Sequence, residues 1–490
     1  MNFIEDISTK HLSNLDSPAI ITNENNLTYR ELIKEVKKTA ASLIELNIHR
    51  MKPVAVLSDN NKDFIILVLA LWMIDAVPAP INTRLTQKEA EELINISGSS
   101  ILFIHQKLVK NLKDKFPKAV SFPLKNKLET TGNTRPRNNL SNTAVIIFTS
   151  GSSGKPKGVM LSFKNLLRSA EIGNSFLEQT NSDRWLASLP FYHIGGFSII
   201  TRALYFGASV IIPDSLNNED ISKSLEMFKP TLASFVSTQI ERLIEASIKP
   251  GKELRNILLG GGFINNSLIV KALLSDWKIS KVYGSSETSS FVTVLSTKEL
   301  KEKINSAGKP LPGNHIIICN KNSKELPTGT AGEIVVKSDS VMKGYINNSE
   351  ETNSKLVNGY YYTGDTGYFD KDGYLFVAAR ISDFIISGGE NINTQEIENE
   401  ILKYPGITDC CVTGIEDKTW GHKVVAAIVS NEKIMPDDLI KFLKKSLAGF
   451  KVPKHILQAR LIPRNQLGKI EKEKLKKIFS QGLSNSNISN

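Results

Sequence analysis

The densest chemistry in the chain lies in one stretch, Ile146-Ile-Phe-Thr-Ser-Gly-Ser-Ser-Gly-Lys-Pro-Lys-Gly-Val-Met-Leu-Ser162. Thr149, Ser150, Ser152 and Ser153 offer hydroxyl donors, and Lys155 and Lys157 add positive charge. Gly151, Gly154 and Gly158 let the backbone approach an anion and turn its N–H groups inward. A β-branched run, Ala144 to Phe148, predicts a buried strand before the loop, and Val159 to Leu161 form an apolar piece after it. Such a loop suits phosphate. It is not a Walker A loop, because Gly151 and Gly154 are too close and Pro156 stands where Ser or Thr should be. Composition alone leaves a flexible Gly/Ser hairpin equally open.

Other stretches carry reactive residue types. His193 ends Leu189-Pro-Phe-Tyr-His193, and Gly260, Gly261 and Gly262 end an apolar run, where a flat ring could stack on bare backbone. Val282-Tyr-Gly-Ser-Ser-Glu-Thr288 gathers an aromatic ring, hydroxyls and a carboxylate; Tyr361-Tyr-Thr-Gly-Asp365 and Pro463-Arg-Asn-Gln-Leu-Gly-Lys-Ile470 follow. In isolation His193 reads as structural, Glu287 as a solvated loop residue and Lys469 as one exposed lysine among many.

Together and in this order, from about Leu27 to Lys474, these strings resemble the signatures of the adenylate-forming superfamily: acyl-CoA synthetases, peptide-synthetase adenylation domains and luciferases. The resemblance implies that the 149–157 loop, Gly260 to Gly262, Tyr283, Gly284, Ser286 and Val377 surround ATP or AMP. Ser286 replaces the usual threonine and keeps its hydroxyl. Glu287 is implied to help hold Mg²⁺, which a carboxylate suits. Asp365 is implied to accept the ribose hydroxyls, with Arg380 reaching the ribose as well. His193 is implied to sit beside the carboxylate substrate, and Lys469 to be the catalytic lysine. Gly388, Gly389 and Trp420 resemble the segments that meet CoA, and Ser382 occupies the hinge position where Asp or Lys is usual.

The implied chemistry explains the residue types. A carboxylate is a poor electrophile. Its attack on the α-phosphate of ATP makes an acyl-adenylate and pyrophosphate, after which a thiolate displaces AMP. The protein must position an anion against a polyanion and stabilise the developing charge. ATP, Mg²⁺ and CoA are the implied cofactor and co-substrates. The stretch from Pro190 to Gly207, and Glu287 to Ser296 followed by Ser306-Ala-Gly-Lys-Pro, look like those of o-succinylbenzoate-CoA ligases. That family activates an aliphatic carboxylate and recognises an aromatic one, in menaquinone or phylloquinone synthesis. His193, Ser289 and Arg202 are candidates for the acyl pocket; Arg202 is equally compatible with a helix surface. The alternatives are another aryl- or medium-chain acyl-CoA ligase, an adenylation domain charging a carrier protein, and a nucleotide-binding regulator without catalysis.

The elements that must hold these residues are legible in outline. Thr28 with Glu31 and Thr86 with Glu89 are spaced as capping boxes, and Ser162 predicts the cap of a helix to about Phe176. Val54 to Leu57 and Ile101 to Ile104 read as strands, with a helix from Phe64 and an extended Ala76-Val-Pro-Ala-Pro. Strands alternating with helices predict an α/β protein built on helix-covered sheets. From Gln106 to Asn142 the pattern blurs into a surface connection. The expected organisation is a large N-terminal domain over 1–379 with a β-structure subdomain, a small mobile α+β lid over 380–478, and a disordered tail over 479–490. At 490 residues the chain supports several domains.

Composition narrows the classes. A 41% hydrophobic and 23% charged content is that of a soluble globular protein. The formal charge of +11 suits either a lysine-rich background or attraction of ATP and CoA. No nucleic-acid module is visible. Cys319, Cys410 and Cys411 have neither disulfide nor metal spacing and fit buried thiols in a reducing cytoplasm. The start lacks the pattern of a signal peptide, and the apolar run from Phe64 to Ile74 is too short to span a bilayer, so no stable membrane insertion is expected. Oligomeric state, including a homodimer, stays open.

Overall fold

The computed structural model describes residues 14–48, 50–112, 114–124, 139–150, 156–262, 264, 266–320, 322–377, 384–463 and 474–479. These fall into two compact units, the first within 1–83, 93–149 and 158–381, the second within 84–92, 150–157 and 382–490. The expected tail, Arg380, Ser382 and Lys469 lie outside the described residues.

In the first unit a nine-stranded sheet runs in the order Lys309–Pro310, Ser290–Leu295, Ile279–Ser285, Asn256–Leu259, Leu232–Phe235, Arg184–Leu186, Ser209–Ile211, Pro18–Ile21, Leu27–Thr28. Its inner strands are parallel and both ends are antiparallel. A four-stranded parallel sheet is built from Val77–Ile81, Pro53–Leu57, Leu102–His105 and Val120–Phe122. The blurred Gln106–Asn142 region therefore contributes a real edge strand, and the helix Gln106–Leu112 leads to it. Both are short, and neither has an apolar face long enough to show a period.

The apolar run from Phe64 became the helix Lys62–Met73, buried at every position from Phe64 to Met73. It is apolar all round because it is packed all round. Its Trp72 indole donates to the Ala144 carbonyl at 2.6 Å and meets Phe163 and Phe197 edge-on at 5.4 and 6.0 Å. Full burial of so large a ring contributes about 3 kcal/mol. That contact fixes the strand Thr143–Ser150, which delivers the chain to the Ser/Gly loop. The helix Phe163–Leu177 begins on Ser162, whose hydroxyl accepts from the Asn165 N–H while Asn165 reaches back, a capping box with Asn in place of Glu. The Thr28–Glu31 box is present, and Thr86 with Glu89 makes the same exchange.

A five-stranded antiparallel sheet of Asn314–Cys319, Gly332–Ser338, Tyr360–Phe369, Leu356–Val357 and Leu375–Val377 forms the β-rich part. In the second unit the hairpin Phe384–Ser387/Glu390–Asn393 stands beside a three-stranded sheet of Ile407–Asp417, Gly421–Ser430 and His455–Gln458. The helices Thr394–Ile401 and Pro436–Leu443 close its own core around Ile397, Val412, Ile428 and Leu439. All three cysteines are buried and none forms a disulfide. No helix among the described residues is long and apolar enough to cross a membrane.

Candidate active site

The strand Ile279–Ser285 ends in a single 3₁₀ turn, Ser286–Thr288, before the chain reverses into Ser290–Leu295. Thr288 ties this turn together: its hydroxyl accepts from the Ser285 N–H at 2.9 Å and donates to the Ser290 carbonyl at 2.7 Å. A Cβ on Gly284 would lie 2.0 Å from the Ser290 carbonyl, so only glycine fits after Tyr283. The Tyr283 hydroxyl donates to Asp365 Oδ2 at 2.8 Å. Asp365 lies in the strand Tyr360–Phe369 and is buried, its N–H bonded to the Thr363 hydroxyl at 3.0 Å. Tyr283, Gly284, Ser285, Thr288, Val336, Tyr361, Thr363 and Asp365 line one cleft. Tyr283 and Asp365, 82 residues apart in the chain, thus meet as an aromatic ring beside a carboxylate, the pairing that a base and a ribose require.

Glu287 stands half-buried in the turn, and its backbone carbonyl accepts from the Met342 N–H at 2.7 Å. The Tyr345 hydroxyl donates to its Oε1 at 2.9 Å. Burial, then the Glu287 charge, push the phenols of Tyr345 and Tyr361 well above their usual range, so both stay neutral donors. Among the described residues no group of three or more His, Cys, Asp or Glu could hold a metal ion. A lone carboxylate fits Mg²⁺ nevertheless, since that ion takes most ligands from phosphates and water. Tyr345 carries no sequence signal: it lies 58 residues from Glu287, on a two-residue strand.

His193 stands at the N-cap of the helix Ile194–Tyr205, half-buried, its ring 4.7 Å from that of Tyr192. Asn60, which the sequence does not single out, clamps this loop. Its amide donates to the Leu189 carbonyl at 2.8 Å and accepts from the Phe191 N–H at 2.8 Å. A Cβ on Gly196 would meet the Pro190 carbonyl at 2.1 Å, so the helix can only start this close to the loop with glycine.

Arg202 is no surface residue. It points inward from the same helix with 2% exposure, its guanidinium between the rings of Trp185 and Phe291 at 5.3 and 5.0 Å. Its Nη2 bonds the Ser198 hydroxyl, and the Ser290 hydroxyl lies 3.5 Å away. Nε and Nη1 meet no acceptor among the described residues. Burial pushes its pKa down to about 9, still protonated at neutral pH. Ser289 is fully buried, and its hydroxyl is committed to the Ser340 carbonyl at 2.6 Å. Of the neighbouring pair Ser289 and Ser290, it is Ser290 whose hydroxyl faces Arg202, alongside that of Ser198.

Thr149 and Ser150 end the strand Thr143–Ser150, and Lys157 is buried in the strand Pro156–Ser162. Gly151, Ser152, Ser153, Gly154 and Lys155 lie outside the described residues. Gly260 follows the strand Asn256–Leu259, where a Cβ would come 2.7 Å from Val282, and Gly261 has φ +85°; Gly262 is exposed beside it. Val377 closes the strand Leu375–Val377. In the second unit Gly388 and Gly389 make the hairpin turn at φ +58° and +83°. The Gly388 N–H donates to the Trp420 carbonyl at 2.8 Å, with the exposed Trp420 ring against it.

Known proteins are similar to this chain over nearly its whole length. The 2-succinylbenzoate–CoA ligase of Bacillus licheniformis is 34% identical over 469 residues, covering 94% of this chain and 96% of that protein. That of Listeria monocytogenes is 34% identical over 471 residues, covering 94% and 97%. A double mutant of o-succinylbenzoate CoA synthetase from Bacillus subtilis, bound with its product analogue OSB-NCoA, superposes with TM-score 0.90 at 30% identity over 97% of this chain and 98% of that one. The same enzyme in complex with the acyl-adenylate intermediate OSB-AMP gives 0.74 at 30% identity, with the same coverage. Residues 10–346 match the AMP-binding enzyme family and residues 396–469 its C-terminal domain. With the Tyr283–Asp365 cleft, the Glu287 turn and full-length likeness in agreement, the chain belongs to the AMP-binding enzyme family.

Proposed function

We propose that this protein is an ATP-dependent acid–CoA ligase that converts 2-succinylbenzoate to 2-succinylbenzoyl-CoA, a step toward menaquinone or phylloquinone. The observation that carries the substrate assignment is Arg202: a buried, charged guanidinium with two nitrogens that meet no acceptor among the described residues, next to Ser290. A cation held this way matches an anionic group inside the acid, and a second carboxylate is such a group.

In the first half-reaction the succinyl carboxylate oxygen attacks the α-phosphorus of ATP and pyrophosphate leaves. In the second, the CoA thiolate attacks the acyl carbonyl and AMP leaves with the electron pair of the acyl–oxygen bond. Asp365 accepts the ribose hydroxyls, and Tyr283 holds that carboxylate in place and faces the base. Thr149, Ser150 and Lys157, with the loop between them, receive the phosphates. Glu287 is the carboxylate that would hold Mg²⁺, which when bound neutralises phosphate charge. His193 orients the acid at the mouth of its pocket. Lys469 supplies positive charge to adenylation, and Arg380 steadies the ribose. Gly388, Gly389 and Trp420 offer a flat ring and bare backbone to CoA. The small domain from residue 380 turns about Ser382 between the two steps. A cytoplasmic setting suits three buried thiols without a disulfide.

Release of pyrophosphate and AMP, measured with 2-succinylbenzoate, benzoate and octanoate with and without CoA, tests the proposal. CoA-dependent turnover confined to 2-succinylbenzoate is expected. Turnover only with another acid would refute the substrate, and ATP binding without turnover of any acid would refute the enzyme.

A further inference from the structure

Glu287 is fixed by its backbone and free along its side chain. The Ser286–Thr288 turn is tied at three points, by the Thr288 hydroxyl to Ser285 and Ser290, and by the Met342 N–H on the Glu287 carbonyl. A glutamate side chain still has three rotatable bonds, so a fixed backbone does not aim its carboxylate. Tyr345 supplies the aim. Its hydroxyl donates to Oε1 at 2.9 Å, and Oε2 meets no hydrogen-bond donor among the described residues. The phenol is itself well anchored. Tyr345 is 5% exposed, pairs antiparallel with Val159, and its N–H donates to the Thr352 hydroxyl at 2.9 Å. Tyr361, 4% exposed, lies in the same buried group.

We propose that Tyr345 is a positioning residue for nucleotide-bound divalent cation: by holding Oε1 of Glu287 it leaves Oε2 turned toward the metal. The inference rests on the assignment of Glu287 as the metal-facing carboxylate. A neutral donor suits this task, because it fixes the carboxylate without cancelling the charge that attracts the cation. Tyr345 touches neither substrate nor metal, so its effect must pass through Glu287.

The test uses the full-length protein and Mn²⁺ as the probe, with enzyme-bound Mn²⁺–ATP followed by electron paramagnetic resonance and ATP binding without metal by calorimetry. Tyr345→Phe keeps the ring and its packing. It is expected to weaken Mn²⁺ binding to the enzyme–ATP complex 10- to 100-fold, the usual effect of losing an outer-shell partner. Metal-free ATP binding should stay within about twofold. In a Glu287→Gln background the Tyr345→Phe change should have no further effect, because a residue acting through Glu287 cannot act without it. Unchanged Mn²⁺ binding in Tyr345→Phe, with a loss in Glu287→Gln, would overturn the role of Tyr345 alone. Unchanged binding in Glu287→Gln would instead overturn the assignment of Glu287. Equal losses with and without metal, adding to those of Glu287→Gln, would make Tyr345 merely structural and also overturn the proposal.

Discussion

Replacing Arg202 with methionine should make the free protein more stable and the enzyme blind to the ring carboxylate of its acid. Burial lowers the guanidinium from its ordinary, much more basic value to about 9. Each tenfold of proton affinity is worth about 1.4 kcal/mol, so keeping this cation inside costs about 5 kcal/mol. The sign follows from the depressed value. Below pH 9 both folded and unfolded chains hold the proton, so the full cost is present at pH 7, and it is recovered only as pH rises above 9. The rings of Trp185 and Phe291 and the Ser198 hydroxyl offset part of it. Methionine fills similar volume without charge, and swaps of this kind stabilise by about 1–4 kcal/mol. A bound carboxylate left facing methionine loses about 3–5 kcal/mol, or about 10²- to 4 × 10³-fold in kcat/KM. The assay is pyrophosphate release with 2-succinylbenzoate and with 3-benzoylpropionate, the same acid without its ring carboxylate, together with thermal unfolding at pH 7. Only the diacid should suffer. Equal losses for both acids, or a less stable variant with unchanged preference, would refute the role given to Arg202.

Lys469→Ala should reduce acid-dependent pyrophosphate release by about 10²–10³, the loss typical of one group that stabilises transition-state charge. Thioester formation from supplied acyl-adenylate should persist; undiminished adenylation would refute the lysine's role. Lys281, in the strand Ile279–Ser285, is pushed down to about 8 by burial, and its ammonium meets the Ile304 carbonyl at 3.3 Å. The folded amine gives up its proton from about pH 8 while the unfolded chain stays protonated to about pH 10.4, so stability attributable to this residue should rise between pH 8 and 10.4. Lys281→Met should unfold at a higher temperature than wild type at pH 7, with the gap closing by pH 10; a pH-independent gap would exclude the titration.

The parts of the fold legible in the sequence were those that local chemistry decides. Capping boxes at Thr28 and Thr86, the Ser162 cap and the apolar strands around the phosphate loop depend on neighbours three or four residues away. The strand Val120–Phe122 was lost in the Gln106–Asn142 blur because three residues on a sheet edge have no period to detect. In the site, string resemblance marked Tyr283, Glu287 and Asp365, and their meeting in one cleft or turn followed. Asn60 and Tyr345 escaped because each acts across more than 50 residues through side-chain hydrogen bonds, which leave no spacing to read. Arg202 stayed ambiguous because a helical arginine reads the same facing in or out. Only its packing between Trp185 and Phe291 separates the two.

The turn after Tyr283 joins the nucleotide side of the site to the acid side. Ser289 and Ser290 both have positive φ, +56° and +119°, and neither is glycine. The second is a conformation that L residues avoid, costing about 1–3 kcal/mol. Four bonds outweigh it: Thr288 to Ser285 and Ser290, Ser289 to the Ser340 carbonyl, and the Ser169 hydroxyl to the Ser289 carbonyl at 2.7 Å. The strain has a geometric result. Within four residues the chain presents Glu287 toward the proposed metal and the Ser290 hydroxyl toward Arg202. A relaxed turn would need more residues to reverse, and the two groups would lose their fixed separation. Adenylation demands one carboxylate held against one phosphate, and on the proposed reading that fixed separation would position the reactants, with the strained serine pair maintaining it.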